Sequence, residues 1–168
     1  MLECYQEVND MIYIYNAGPM FTEADINQRM REGKMMREVL QRNQKEFTVI
    51  NPIELPFDNT KVLTSKEIFM ADHEHVEKAN VFFFELASGD SGTYVELGNV
   101  IERLMHGSPL HIYPVFNDLR LQRNQVGGIE CPLGFNSYLV GSLTANNIEI
   151  HTSFDEAFAH FMKDFHLE

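Results

Sequence analysis

Apolar positions along the chain alternate between two periods, and the alternation is the strongest signal the sequence carries. Met11 to Tyr15 is a β-branched and aromatic run that predicts a strand, closed by the turn residues Asn16-Ala17-Gly18-Pro19. Ile26, Met30, Gly33, Met36 and Leu40 then recur at a three-to-four spacing, which predicts a helix with Asp25 as its cap. Phe47 to Ile50 reads as a short strand stopped by Asn51-Pro52, and a loop rich in Pro and polar residues leads to Ser65. A second helix is predicted from about Lys66 to Ala79, with Ile68, Asp72, Val76 and Ala79 on one face.

Val81 to Leu86 is apolar throughout except for Glu85, as in strands buried on both faces of a parallel sheet. The loop Ser88-Gly89-Asp90-Ser91-Gly92 precedes a helix from Thr93 that carries Leu97, Val100, Ile101 and Leu104 inward. Leu110 to Val115 reads as a strand with Pro114 near its end. The polar stretch from Asn117 to Leu133 reads as a long functional loop or a partly disordered one. A short helix near Asn136 to Leu143, a strand at Ile148 to His151 and a helix with Phe154, Phe158, Phe161 and Phe165 on one stripe complete the pattern. The first ten residues read as a short helical or irregular lead-in.

Strands alternating with helices predict an α/β fold, a doubly wound parallel sheet forming one domain over residues 1–168. Five strands favour the flavodoxin-like, Rossmann-like order 2-1-3-4-5, whose ligand crevice opens between the carboxyl ends of the first and third strands. Those ends are the Asn16-to-Pro19 turn and the segment from Gly89 to Glu96.

Composition narrows the partners. A formal charge of −12 argues against nucleic acid and against an anionic membrane surface, since both need clustered Lys and Arg. No apolar run reaches membrane-spanning length, no signal-peptide pattern opens the chain, and two distant cysteines, Cys4 and Cys131, fit a reducing compartment. A cytoplasmic protein is the expectation.

Three carboxylates fall near the predicted crevice. Glu96 follows a Gly-rich loop in what reads as the first turn of a helix, where the helix N-terminus would favour its ionised form. An ionised, oriented carboxylate can capture an oxocarbenium-like carbon and form a covalent glycosyl intermediate; the alternative is an acid that only complements the helix dipole. Asp72 sits on an apolar helical stripe, which raises a carboxyl pKa and suits a proton donor; the alternative is an aspartate paired with a nearby base. Asp90 is a second acid beside Glu96, or ordinary turn chemistry.

Two other patterns lead elsewhere. Gly89-Asp90-Ser91-Gly92 looks like a serine-protease nucleophile signature, but that fold needs two β-barrels and a longer chain. His73 and His75 lie two apart on a helix and point to nearly opposite faces, so they cannot share an ion.

Four segments resemble one family. Ile14-Tyr15-Asn16-Ala17-Gly18-Pro19-Met20-Phe21 is similar to the opening strand and turn of nucleoside 2-deoxyribosyltransferases. Asp72 to Asn80, ahead of Val81-Phe82-Phe83-Phe84, resembles that family's next helix and strand, with Asn80 where many members carry Asp. Asp90-Ser91-Gly92-Thr93-Tyr94-Val95-Glu96-Leu97-Gly98 resembles the motif that holds the nucleophilic glutamate. Pro132-Leu133-Gly134-Phe135-Asn136, followed by Val140-Gly141, resembles the C-terminal segment whose asparagine reaches a neighbouring subunit's site.

The resemblance implies transfer of a 2-deoxyribosyl group between nucleobases. Glu96 would be the nucleophile; Asp72, helped by Asp90, would protonate or hold the departing base. Tyr15 would orient Glu96, Gly18 would let the chain pass close to the ligand, Phe21 would pack on a base and Asn136 would reach a neighbouring site. It implies small-molecule nucleosides and nucleobases as partners, a homo-oligomer with shared sites, and no metal or organic cofactor. The competing readings are a hydrolase of deoxynucleoside 5′-monophosphates on the same fold and a non-catalytic nucleotide-binding module. The loop after Gly18 offers Thr22 but no basic residue before Arg29, which disfavours a phosphate.

Overall fold

The computed structural model describes residues 11–56, 60–86, 89–119 and 136–168. The lead-in, both cysteines, most of the Asn117-to-Leu133 loop and the stretch from Pro132 to Phe135 lie outside the described residues. Among the described residues the sheet has four parallel strands in the order β2-β1-β3-β4: β1 is Ile12–Ala17, β2 Phe47–Ile50, β3 Val81–Glu85 and β4 His111–Val115. Among the described residues five α-helices pack on it: α1 Glu23–Arg42, α2 Ser65–Lys78, α3 Ser91–Met105, α4 Ser137–Thr144 and α5 Phe154–Asp164, with a 3-10 turn at Pro52–Glu54.

Alternation along the strands builds two cores. Ile12, Ile14, Val81, Phe83 and Tyr113 point to one face, where they meet Met36, Val39 and Leu40 of α1 and Phe154, Phe158 and Phe161 of α5. Tyr15, Ala17, Phe82, Phe84 and Ile112 point to the other, against Val76 of α2, Leu97 and Val100 of α3 and Val140 and Leu143 of α4. With both faces covered, the central strands have no polar side, which is why β3 reads as continuous Phe.

The fifth strand is not formed. In its place the 148–151 segment touches the sheet at one parallel bridge, Val115 to His151. Two bonds make the bridge: His151 N donates to Pro114 O at 3.0 Å and Phe116 N donates to His151 O at 2.8 Å. Pro114 therefore faces this edge, and its missing N–H removes the rung that would carry the ladder back to Glu149. The expected five-stranded sheet is thus a four-stranded one with a vestige of the fifth strand in the expected place.

Other boundaries also shift. β1 runs on through Asn16 and Ala17, which pair with Phe83 and Phe84, instead of turning at Asn16. Thr22, not Asp25, caps α1; Asp25 completes the capping box by accepting from Thr22 N at 2.9 Å. Thr64 and Glu67 form the same box at the start of α2. Ile68 does not join the buried stripe of α2 and is 43% exposed. Among the described residues no helix is long and apolar enough to cross a membrane.

Candidate active site

The parallel order brings the carboxyl ends of β1 and β3 side by side, and three of the singled-out residues meet there. Tyr15, fully buried near the end of β1, donates its hydroxyl to Glu96 Oε1 of α3 at 2.6 Å. That length is typical of a hydroxyl bonded to a carboxylate. Asp72, on α2, lies close enough for its charge to act on both Glu96 and Tyr15. Its Oδ1 is buried and has no hydrogen-bond partner among the described residues.

Burial governs the electrostatics. It pushes the Glu96 carboxyl up to about 7; the Tyr15 hydrogen bond pulls it down, while Asp72 and Asp90 add to the rise. Burial also raises Asp72 to about 6, as its apolar stripe predicts. Tyr15 is raised by burial and by both neighbouring carboxylates, so it is a donor throughout the physiological range. The helix begins at Ser91, which places Glu96 in the second turn, not the first. The dipole argument for a readily ionised Glu96 is therefore replaced by its opposite, because loss of water outweighs the Tyr15 bond.

Asp90 is the N-cap of α3. Its Oδ1 accepts from Gly92 N at 3.0 Å and its Oδ2 from Thr93 Oγ1 at 2.8 Å. Gly89 precedes it with φ of +76°, a conformation that favours glycine, and Tyr94 donates to Leu86 O at 2.8 Å across the base of the loop. These bonds set where α3 starts and hence where Glu96 stands.

The remaining residues separate. Phe21 is 77% exposed at the entry to α1. A Cβ on Gly18 would lie 2.0 Å from Arg29 Nη1 and 2.8 Å from Glu85 Cβ, so a neighbour within the chain already requires the missing side chain. Asn136 caps α4, its Oδ1 accepting from Tyr138 N at 2.9 Å and Leu139 N at 3.2 Å. His75 Nδ1 bonds the Tyr13 hydroxyl at 2.8 Å while His73 stacks on Phe69, so the two histidines part as their spacing requires.

A buried polar cluster behind β1 escaped the sequence reading. Arg29 bonds Glu32 Oε1 at 2.9 Å and Ala17 O at 3.3 Å; Asn16 Nδ2 donates to Glu32 Oε2 at 3.0 Å, and Asn51 Nδ2 to Arg29 O at 2.8 Å. Burial raises the Glu32 carboxyl despite the Arg29 guanidinium. The signal was the i,i+3 spacing of Arg29 and Glu32 on the inward face of α1, whereas Met30, a member of the apolar repeat, is 44% exposed. This cluster anchors the end of β1 on which Tyr15 sits.

No protein-family model matches the chain. An uncharacterized protein of Ureaplasma parvum serovar 3 is 27% identical over 158 residues, covering 90% of this chain and 94% of its own. A conserved protein from Enterococcus faecalis V583 superposes with a TM-score of 0.63 at 21% identity, over 90% of this chain and 99% of its own. The 2-desoxiribosyltransferase from Leishmania mexicana superposes with a TM-score of 0.59 at 20% identity, over 90% of this chain and 97% of its own. The chain has the fold of these two solved structures. Likeness at such identities establishes the α/β architecture and leaves the chemistry to the residues.

Tyr15→Phe tests the hydrogen bond directly. Without the donor, the Glu96 carboxyl rises above about 7. Whatever reaction needs Glu96 ionised should then have its acidic limb displaced to higher pH, and kcat/KM at pH 6.5 should fall about 10- to 100-fold, the worth of a hydrogen bond to a charged group. A pH–rate profile of the folded variant that overlays the parent would remove Tyr15 from the site.

Proposed function

We propose that this chain is a nucleoside 2-deoxyribosyltransferase. The observation that carries the reading is the Tyr15–Glu96 hydrogen bond, with the half-buried Asp72 alongside at the β1–β3 crevice. Tyr15 ties down Oε1 of Glu96, leaving Oε2 to attack the anomeric carbon of a 2-deoxynucleoside. As the Glu96–sugar ester forms, the C–N bond breaks and its electron pair leaves with the base. Asp72, held near 6, can keep a proton long enough to deliver it to that base. A second base then attacks the same carbon, expelling Glu96 as the carboxylate and returning a proton to Asp72. Two displacements retain configuration at the sugar. Asp90 acts through its charge on Glu96 and through the helix start it caps. Phe21, exposed beyond the β1 turn, is offered as a surface for the base, and Gly18 as the point of close backbone approach.

Incubation with deoxyinosine and free adenine, followed by chromatography, tests the reading. New deoxyadenosine means transfer; free hypoxanthine alone means hydrolysis and overturns it; unchanged substrates with this and other base pairs favour a binding module. The pairing of Arg29 with Glu32 weighs against a 5′-monophosphate substrate, because the first cation after Gly18 is already neutralised inside the protein.

The reading extends to a homo-oligomer in which Asn136 reaches a neighbouring site. Since Asn136 Oδ1 caps α4, an alanine there would confuse lost capping with lost function. Asn136→Asp keeps an N-cap and removes the amide. Co-expressed with Glu96→Ala, it should regain activity that neither chain has alone, because a mixed oligomer contains one site with both native residues. No recovery in confirmed mixed oligomers would confine Asn136 to capping.

A further inference from the structure

Away from the crevice, His151, His160 and Glu149 converge where the vestigial fifth strand, β4 and α5 meet. The ligand-type atoms of the three residues all lie within 4.8 Å of one another. His151 Nε2 is 2.9 Å from His160 Nδ1, and Glu149 Oε2 is 3.5 Å from the same His160 nitrogen.

The outer nitrogens decide what the inner ones can do. His151 Nδ1 faces Pro114 O at 3.2 Å, and a carbonyl oxygen only accepts. The His151 proton therefore belongs on Nδ1, which leaves a lone pair on Nε2. His160 Nε2 lies 3.5 Å from Asp164 Oδ1, and Asp164 already accepts from the Tyr113 hydroxyl at 2.8 Å. With its proton on Nε2, towards that carboxylate, His160 turns an Nδ1 lone pair towards the first. At 2.9 Å the two inner nitrogens share either a proton or an ion, and Glu149 Oε2 faces the same point from 3.5 Å. With Glu149 completing the set, we infer that His151 Nε2, His160 Nδ1 and a Glu149 carboxylate oxygen form a binding site for a zinc-class divalent transition ion.

The donor set and spacing suit such an ion. Zinc takes imidazole nitrogen and carboxylate oxygen at about 2.0–2.1 Å in a tetrahedron, which sets ligand atoms about 3.3 Å apart. The observed 2.9 and 3.5 Å bracket that value. The one ligand that must close in, Glu149, has a side chain 67% exposed and free to move, whereas His151 is buried at 1%. Pro114 O and Asp164 are the outer partners that orient metal-bound imidazoles elsewhere in proteins. Tyr113 braces the group, its ring edge-on to His160 at 5.7 Å. The ion would displace any proton held between the rings to solvent and would leave a fourth position to water. It would tie the 148–151 segment to α5 at the edge where Pro114 breaks the strand ladder.

The test uses the full chain, stripped with a chelator and titrated calorimetrically with zinc chloride at pH 7.5. One ion per chain should bind, with a higher melting temperature in its presence, since a ligand of the native state stabilises it. Glu149→Gln and His160→Gln alter partly exposed side chains and should each weaken uptake at least tenfold, while Asp164→Asn, which supplies no ligand, should weaken it by about 10- to 100-fold through His160. Circular dichroism checks that each variant is folded. Absence of binding up to millimolar zinc would overturn the site. So would affinity unchanged in both Glu149→Gln and His160→Gln, which would place the ion elsewhere, such as on the cysteines.

Discussion

Glu96→Ala should abolish base exchange, by about 10⁴-fold or more, in a protein that still folds. The carboxylate is held beside the carboxyl end of β1 by Tyr15 and contributes little to either apolar core, so its loss removes chemistry before it removes structure. The isosteric Glu96→Gln separates the two further through pH. The Glu96 carboxyl rises from 4.5 to about 7 on folding, so between those values the folded chain binds more protons than the unfolded one. Stability from this group is therefore full below about 4.5 and declines as pH rises through about 7. By pH 8 the buried charge costs on the order of 3 kcal/mol, which glutamine does not incur. Glu96→Gln should accordingly melt above the parent at pH 8, with the gap closing towards pH 4, while remaining inactive. A folded Glu96→Ala protein that exchanges bases at the parental rate would sink the nucleophile assignment. A 2-deoxyribosyl adduct on Glu96, seen by mass spectrometry, would support it directly.

Asp72→Asn should slow departure of the base by about 10²–10⁴-fold, the range for a general acid. The loss should shrink with an activated leaving group that needs no proton; equal losses with both substrate types would reduce Asp72 to a positioning residue. Its pH signature is distinct. With Glu96 near 7 and Asp72 near 6, the productive form, Glu96 ionised and Asp72 protonated, peaks between those values, so kcat/KM should be bell-shaped. The two limbs belong to the coupled pair and not to either residue alone. In Asp72→Asn the basic limb should vanish. The acidic limb that remains should follow the ionisation of Glu96 alone. A basic limb that survives in Asp72→Asn would assign it to another group.

Much of this architecture was legible as period and punctuation. The apolar run of β3, the phenylalanine stripe of α5 and the helical spacing of α3 each report burial directly, because a side chain hidden from water must be apolar wherever its element turns inward. The meeting of Tyr15 and Glu96 followed from topology together with a motif, since the parallel order places the ends of β1 and β3 together. Polar residues turned inward were the blind spot. Arg29 and Glu32 have the pattern of a solvated helix face; their mutual neutralisation, the carbonyl of Ala17 and the side-chain amides of Asn16 and Gln28 make burial tolerable. Asn16 looked like a turn residue for the same reason, yet its Nδ2 donates to Glu32 and the strand runs on.

The sequence by itself determined the alternation of strands and helices and the two-sided core, because these depend on which side chains avoid water and on local turn chemistry. Tertiary structure alone decided the rest. Pro114 cost the sheet its fifth strand only because β4 turns that residue towards the 148–151 segment, a direction no local pattern reveals. Glu96 is held near 7 because α2, α3 and β1 together exclude water from it, an effect that outweighs its hydrogen bond and its place on the helix. Desolvation sums over everything packed around a group, and most of what surrounds Glu96 is distant from it in the chain.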